Sequence, residues 1–451
     1  MKIQSRSKPY FIPEYSLTGD LLSFLTCNLQ YRYQNKGTLP PSMPIQLWFG
    51  EFIHGVMEEA FLKWEDGNHE FPWSWELDIR PIEEMIDQRL RSRGLNSPPR
   101  QFCPEHLPEE AIGKYKLEDN PYHRIASARA EKAINIWGKN IFPLIKSTEL
   151  LIKGIRDMPN YNDKSSRSNR YGINGVVDGL LSINANDLKT ISNINPVPND
   201  NSTANNTYNN HNSNNNQTSL ELFLNQNNDN ENNKKNNNEK NSENDTINLF
   251  IKSLKENKQL NEFFNKEDID DFEIIIDYKG MKRPAIDSET YKHHKWQVLT
   301  YSWLRSQQKD AKEIPAGVIL YLNELVPSTM DLIAIKEDII NKKTDVEISQ
   351  SDKESLFEWD GSEKYYPTLS DEFRINRSIR IIPINKNEQK DALSSFDKVV
   401  NNIETSLIKE ENGCKISESW TGEADKRTCD ACDFKMICQK NKGELNDITV
   451  P

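Results

Sequence analysis

The sequence predicts an α/β protein in which a β-sheet is flanked by helices. Four segments have the apolar runs or alternating patterns of strands: TELLIKGIRDM (148–158), YGINGVVDGLLSI (171–183), DFEIIIDYKG (271–280) and GVILYLNEL (317–325). Five longer segments repeat apolar residues at helical spacing: 17–33, 45–64, 124–145, 288–307 and 386–410. Because helical segments precede, separate and follow the strands, we expect helices to pack against the sheet.

Composition excludes several classes of protein. The 451 residues include 57 basic and 69 acidic side chains, a net charge of −12, which excludes a polybasic protein that binds nucleic acid by bulk charge. Six cysteines are too few for a disulfide scaffold in a chain of this length. No apolar run approaches the roughly 20 residues of a membrane span. We therefore expect an intracellular, cytoplasmic protein.

An asparagine-rich tract interrupts the predicted sheet. Between residues 201 and 240, 18 of 40 residues are Asn, and large apolar side chains are scarce. Such a segment buries too little apolar area to offset the entropy of ordering it. We expect roughly 190–265 to be a disordered insertion, with transient helix at most. Without it, the strands at 171–183 and 271–280 become hairpin neighbours.

The strand at 271–280 carries an acid and an amine two residues apart. Because side chains alternate across a strand, Asp277 and Lys279 lie on one face. This pair suits phosphodiester hydrolysis, with Asp277 holding a divalent cation and Lys279 orienting or deprotonating water and stabilising developing charge. An ordinary surface Asp–Lys pair is the alternative.

Two further side chains complete a candidate metal site. Asp178 lies in an apolar strand, where a carboxylate is costly unless it is paired or metal-bound. Hairpin pairing would bring it beside Asp277, and Mg²⁺ or Mn²⁺ would relieve the repulsion between the two acids. His54, on the predicted helix 45–64, is a third candidate ligand. The alternatives are a turn role for Asp178 before Gly179 and simple packing for His54.

One later helix offers contacts to a nucleic-acid strand. Gln297 and Tyr301 lie four residues apart and therefore share a helix face. Such side chains can fix the register of a bound strand by holding a phosphate or sugar. Taken alone, they fit an ordinary amphipathic helix equally well.

A cysteine triplet near the C-terminus has metal-ligand spacing. Its members, in a C-x2-C-x5-C pattern, are Cys429, Cys432 and Cys438. Thiolates this close suit a Cys₄ zinc site or an iron–sulfur cluster. Cys27 is the preferred fourth ligand, and Cys103 and Cys414 are the alternatives. Disulfides are disfavoured in a reducing compartment.

Together these motifs resemble the PD-(D/E)XK nuclease superfamily, and in particular its RecB-like exonuclease branch. The matching segments are G-x-x-x-H (Gly50, His54), G-V-V-D (175–178), I-I-I-D-Y-K (274–279) and Q-x-x-x-Y (Gln297, Tyr301). The resemblance implies a restriction-endonuclease-like mixed sheet. It also implies a metal-dependent active site made by His54, Asp178, Asp277 and Lys279, with Gln297 and Tyr301 contacting the substrate. The 99 positions between Asp178 and Asp277 depart from the usual short hairpin.

The cysteine pattern resembles the iron–sulfur members of that branch. One cysteine before the histidine motif and three near the C-terminus occur in CRISPR-associated adaptation nucleases, the nuclease part of AddB, and exonuclease V. The resemblance implies a [4Fe–4S] cluster that joins the chain ends, held by Cys27, Cys429, Cys432 and Cys438.

The resulting expectation is a Mg²⁺- or Mn²⁺-dependent DNA exonuclease acting on single-stranded DNA or frayed ends. CRISPR spacer acquisition with an integrase and DNA repair or recombination are both compatible. No helicase P-loop occurs, so unwinding would need a partner. The alternatives are a non-catalytic iron–sulfur subunit that binds nucleic acid and a zinc-stapled scaffold. Candidates for the DNA path are Tyr31, Arg32, Tyr33, Lys282 and Arg283.

The predicted organisation has five parts. In chain order they are 1–63 (helices with the cluster cysteine and the ligand histidine), 64–145 (helical insertion), 146–330 (nuclease core with the asparagine-rich insertion), 331–412 (accessory strands and helix) and 413–451 (iron–sulfur region).

Overall fold

Six strands form one mixed sheet. The computed structural model describes residues 12–36, 45–67, 70–104, 122–159, 161, 166–184, 248–266, 271–362, 366–438 and 440. The strands are β1 (Glu14–Ser16), β2 (Ile145–Asp157), β3 (Arg170–Ile183), β4 (Phe272–Lys279), β5 (Glu313–Tyr321) and β6 (Ile379–Pro383). Helices flank this sheet, which confirms the α/β expectation.

The longer helices lie before, between and after the strands along the chain. They are α1 (Ile45–Gly67), α2 (Arg80–Ser92), α3 (Ile125–Ala133), α4 (Leu249–Glu256), α5 (Glu289–Ser306), α6 (Thr329–Ile340), α7 (Gln350–Glu358), α8 (Asp371–Ser378) and α9 (Lys386–Glu411). Shorter helical turns are Leu17–Leu22, Ser23–Thr26, Asn28–Tyr31, Arg32–Lys36, Trp75–Ile79, Ile134–Gly138, Lys139–Ile141, Phe142–Leu144, Lys258–Leu260, Asn261–Phe264, Leu322–Leu325, Ile416–Ser419 and Lys426–Asp430. No described helix has both the length and the apolar character needed to cross a membrane.

β3 pairs with three other strands. β2 runs antiparallel along one edge of β3, while β1 and β4 share its other edge. β1 pairs in parallel as far as Asn174, and β4 pairs antiparallel from Gly179 to Ile183. The predicted pairing of the strands on either side of the asparagine-rich tract is therefore confirmed. The residues of β3 between these two pairings, Asp178 among them, have no partner among the described strands on this edge.

Alternation along β4 divides the hydrophobic core into two layers. Ile274 and Ile276 pack into the layer that contains α1, whereas Ile275 packs into the layer that contains α9. Both layers exclude water from the sheet, since all three isoleucines are buried. Because side chains alternate along a strand, Asp277 lies on the same face of the sheet as Ile275, and Tyr278 lies on the same face as Ile276. The strand end thus presents functional side chains at the rim of a rigid, covered sheet.

The predicted disordered insertion, 190–265, extends too far toward the C-terminus, because its last part is helical. Residues 248–266 form α4 and two short helices, with Phe250 and Leu254 fully buried in the α1 layer. The Asn248 side chain caps α4, and the Asn140 side chain accepts from the backbone N–H of Leu249. The apolar face of LFIKSLKE therefore has a docking surface and does not remain transient. The preceding tract, 190–247, lies outside the described residues.

Three other expectations need correction. Among its described residues, the region 331–412 holds one strand where accessory strands were predicted, and this strand, β6, pairs antiparallel with β5 in the main sheet. The predicted continuous helix 17–33 is divided at Cys27, whose backbone is extended (φ −162°, ψ 110°). In addition, the end of the segment 317–325 is helical, because β5 stops at Tyr321.

Candidate active site and cysteine site

The end of β4 holds a compact polar cluster. Lys279 Nζ lies 2.9 Å from Asp277 Oδ1 and 2.7 Å from Asp277 Oδ2, and it donates to Gln297 Oε1 at 3.2 Å. The Gln297 amide in turn donates to Asp277 Oδ1 at 3.2 Å and to the Tyr301 hydroxyl at 3.3 Å. The structure therefore brings together four of the side chains that the motifs singled out. Asp277 is only 2 % exposed, so its charge depends on these partners.

Asp178 joins this cluster through the backbone of β4. Pairing between β3 and β4 stops at Gly179 and Ile276, so the next residues of β4 have no backbone partner on β3. The Tyr278 N–H donates instead to Asp178 Oδ2 at 2.7 Å. This hydrogen bond fixes the Asp178 carboxylate at the rim where Asp277 also lies. Burial favours a raised pKa for both acids, but His54 holds the pKa of Asp178 low, whereas that of Asp277 is raised.

His54 reaches the same point from α1. Its Nδ1 lies 3.4 Å from Asp178 Oδ2, and its ring packs edge-on against Tyr278 with centroids 6.2 Å apart. Burial is the largest single influence on His54 and lowers its pKa, but Asp178 and Asp277 acting together outweigh burial and raise this pKa to about 9. His54 and Asp178 therefore form an ion pair, and a cation bound by both would displace the histidine proton.

Glu149 belongs to the site and was missed in the sequence. Three possible ligand atoms lie within 4.8 Å of one another, one each from His54, Glu149 and Asp178. Glu149 occupies the left-handed region (φ 46°), which is uncommon for a residue other than glycine. Burial, reinforced by the charges of Asp178 and Glu58, raises the pKa of Glu149 to about 7. The only sequence signal was a lone acid on the strand that precedes G-V-V-D.

The glycine of G-V-V-D allows α5 to approach the sheet. A Cβ at Gly175 would lie 2.4 Å from Cε1 of the Tyr301 ring, so no larger residue fits without moving that ring. Tyr301 is buried, and its hydroxyl accepts from Gln297. The structure thus gives Tyr301 a packing and positioning role beneath Asp277. Its contact with a substrate strand remains a prediction.

The four predicted cluster cysteines line one cavity of about 20 Å³. They are Cys27, Cys429, Cys432 and Cys438. Cys27 lies there because the helix divides at that residue, while Cys103 is buried beside Arg80 and Cys414 is exposed. Ordinary contacts also join the chain ends, since the Asn28 side chain bonds Thr421 Oγ1 at 3.0 Å and Gly422 N at 2.8 Å.

Three candidates for a DNA path already have intramolecular partners. Tyr31 is fully buried and donates to Asp20 at 2.9 Å. Arg283 is 6 % exposed and binds both oxygens of Asp345, at 2.8 and 2.5 Å. Neither side chain faces solvent, so their proposed role in a DNA path is wrong. Arg32 donates to both carboxylate oxygens of Glu410, at 2.7 and 2.5 Å.

Comparison with known families bears on the β4 half of this site. Residues 267–439 match the family model of the PD-(D/E)XK nuclease superfamily. The matched segment contains Asp277, Lys279 and the three C-terminal cysteines, and the mixed sheet flanked by helices is consistent with a restriction-endonuclease-like fold. The match suggests a nuclease, and nucleases of this superfamily usually depend on Mg²⁺ or Mn²⁺. None of the curated proteins compared with the chain is significantly similar to it.

The donor set fits the divalent metal that this superfamily uses. One imidazole nitrogen and two carboxylates converge within 4.8 Å, and carboxylate oxygens are the ligands preferred by Mg²⁺ and Mn²⁺. Asp277 could add an oxygen from the neighbouring strand, although its carboxylate is engaged by Lys279. His54, Glu149, Asp178 and Asp277 are thus the residues able to hold such an ion.

Proposed function

We propose that this chain is a metal-dependent DNA exonuclease that hydrolyses phosphodiester bonds in single-stranded DNA or frayed ends. The observation that carries the proposal is the convergence of His54, Asp178, Asp277 and Lys279 at one sheet rim. These residues come from three separate elements, and two of them lie in the segment matching the nuclease superfamily. Buried charges held in place at the sheet rim can stabilise the negative charge that develops on a phosphate during hydrolysis.

The residues have distinct parts in the proposed reaction. A bound divalent ion would polarise the phosphate and lower the pKa of water. Lys279, held between Asp277 and Gln297, directs a positive charge to the place where the phosphate gains negative charge. Gln297 fixes Lys279 and Asp277 relative to each other, so that little reorganisation is needed. Tyr278 orients Asp178 through its backbone N–H.

The exposed side of β2 offers a path for the DNA strand. Beyond Glu149 it presents Leu151 and Ile155, which are 57 % and 59 % exposed. Leu151 pairs in register with Val176, itself 39 % exposed, so an apolar strip leads away from the metal-binding side chains. Lys153 lies between the two apolar residues, near Glu14 at 3.1 Å. Exposed apolar strips commonly mark binding surfaces, and here the occupant we propose is the substrate strand.

We also propose a [4Fe–4S] cluster at the cysteine cavity. The four cysteines that line the cavity are a donor set that suits either a Cys₄ zinc site or an iron–sulfur cluster. The choice of an iron–sulfur cluster rests on the resemblance of the cysteine pattern to the iron–sulfur RecB-like nucleases. The cluster would hold the Cys27 segment to the C-terminal segment and be structural.

The proposed biological role is the trimming of DNA ends. CRISPR spacer acquisition beside an integrase and repair or recombination beside a helicase fit equally, since both require a nuclease that acts on ends and neither requires a P-loop in this chain.

The experiment uses the full chain with fluorescent oligonucleotides. Single-stranded, duplex and frayed substrates carry a label at one end and a blocking group at either end. The proposal predicts stepwise shortening of single-stranded or frayed DNA in Mn²⁺ or Mg²⁺, none in EDTA, and protection by blocking one end. Binding of single-stranded DNA without hydrolysis would instead identify a non-catalytic subunit. Cleavage unaffected by either block would exclude an exonuclease.

A further inference from the structure

Glu149 and Asp178 lie on facing strands of the β2–β3 pair. Thr148 pairs with Gly179 and Leu150 pairs with Val177, so the register brings Glu149 against Asp178. Two carboxylates facing each other across a strand pair repel. Glu149 also adopts the left-handed conformation, which is unfavourable for a side chain with a Cβ. Neither feature improves the metal-free fold.

The geometry also separates the five acidic and basic side chains of the site into two groups. His54, Glu149 and Asp178 form the group whose ligand atoms lie within 4.8 Å of one another. Asp277 lies outside that group, and both of its oxygens lie within 2.9 Å of Lys279 Nζ. An ion that enters the first group meets two carboxylates and an imidazole without breaking the Asp277–Lys279 pair.

We propose that Glu149 is a ligand of the divalent cation, together with His54 and Asp178. Asp277 then acts mainly with Lys279 and is a weaker contributor to metal affinity. The inference rests on the proposed function only in requiring that a divalent metal is bound. It adds a ligand that none of the four sequence motifs contains.

Metal binding itself is the test. Mn²⁺ is titrated into the metal-free full chain and free ion is counted by electron paramagnetic resonance. Glu149→Gln should weaken Mn²⁺ binding by at least about tenfold. The matched control is Glu58→Gln, which removes a nearby charge on α1 that lies outside the ligand group, and it should change affinity less than about threefold. Wild-type affinity in Glu149→Gln, or an equal loss in Glu58→Gln, would overturn the inference.

A second variant separates ligation from folding. Glu149→Gly suits the left-handed conformation, so in EDTA it should unfold at a higher temperature than Glu149→Gln, which keeps the Cβ. Mn²⁺ should raise the unfolding temperature of the wild type more than that of Glu149→Gly, because the variant has lost one of three ligands. An equal rise in both proteins would contradict a ligand role for Glu149.

Failure of this inference and failure of the proposed function give different results. A wild type that hydrolyses DNA while Glu149→Gln keeps its Mn²⁺ affinity removes Glu149 from the metal site only. A wild type that binds Mn²⁺ through Glu149 but never hydrolyses DNA keeps the ligand assignment and removes the nuclease.

Discussion

The carboxylate of Asp178 accepts a hydrogen bond at 2.7 Å from the backbone N–H of Tyr278, one hundred positions later in the chain. This bond spans the insertion, because β3 precedes the asparagine-rich tract and β4 follows it. It also links the two halves of the site, since Tyr278 lies between Asp277 and Lys279. The integrity of the site therefore depends on how the chain returns to the sheet after the insertion.

Deleting residues 190–245 should leave the fold and any nuclease activity intact. The deletion retains α4 and shortens the connection between β3 and α4, and the free energy of closing a connection changes by only about 0.6 kcal/mol per halving of its length. A deletion of 190–266 is the matched comparison, because it also removes Phe250 and Leu254 from the core. It should cost several kcal/mol, at about 1.5–3 kcal/mol per buried side chain. Thermal unfolding checks both, and equal losses would contradict a structural role specific to α4.

The cysteine site should be both coloured and stabilising. Cys432→Ser should abolish absorbance near 400 nm, which is general for iron–sulfur proteins, and lower the unfolding temperature by more than about 5 °C. The control is Cys414→Ser, at an exposed cysteine outside the cavity. It should change neither property. Retained thermal stability in Cys432→Ser would contradict a structural cluster.

Glu83 should make folding depend on pH. Burial raises its pKa to about 7, although Ser127 Oγ and Trp75 Nε1 donate to its carboxylate. Between about pH 4.5 and 7 the folded state therefore binds more protons than the unfolded state, so stability falls as pH rises. Glu83→Gln should flatten this dependence by up to about 1.4 kcal/mol per pH unit. Urea unfolding across that pH range checks it, and parallel curves would refute the shifted pKa.

The β2 strip should contribute to binding of single-stranded DNA. Leu151→Ser combined with Ile155→Ser should weaken binding about tenfold, because apolar contact with the strand is lost. The control is Met330→Ser combined with Ile340→Ser on α6, where the side chains are 73 % and 58 % exposed. Fluorescence anisotropy in EDTA measures binding without hydrolysis. Equal affinity for both double variants and the wild type would exclude the strip from the DNA path.

Sequence patterns predicted the local and periodic parts of this structure. Alternation in β4 correctly placed Asp277 and Lys279 away from Ile274 and Ile276, because period two is a local property of a strand. The pairing of β3 with β4 also followed, once the asparagine-rich tract was excluded. These inferences needed only the regular geometry of one element or of two neighbours.

Features that depend on irregular backbone or distant partners were not predictable in this way. Glu149 is a lone acid on β2, and no local pattern encodes its left-handed backbone or its approach to His54 on α1. Cys27 divides a segment whose apolar spacing is that of one helix. Arg283 is buried because Asp345 neutralises it from 62 positions away, and no local pattern encodes that pair.

The central claim is that Asp277 and Lys279 act as one hydrolytic unit. The most direct measurement is the rate of single-stranded DNA hydrolysis in Mn²⁺ by Asp277→Asn, Lys279→Met and the double variant, with Lys292→Met, an exposed lysine on α5, as control. We expect each single variant to lose at least about a thousandfold in rate and the double variant to lose no more than either. Wild-type rates in either single variant, or losses that multiply in the double, would contradict the claim.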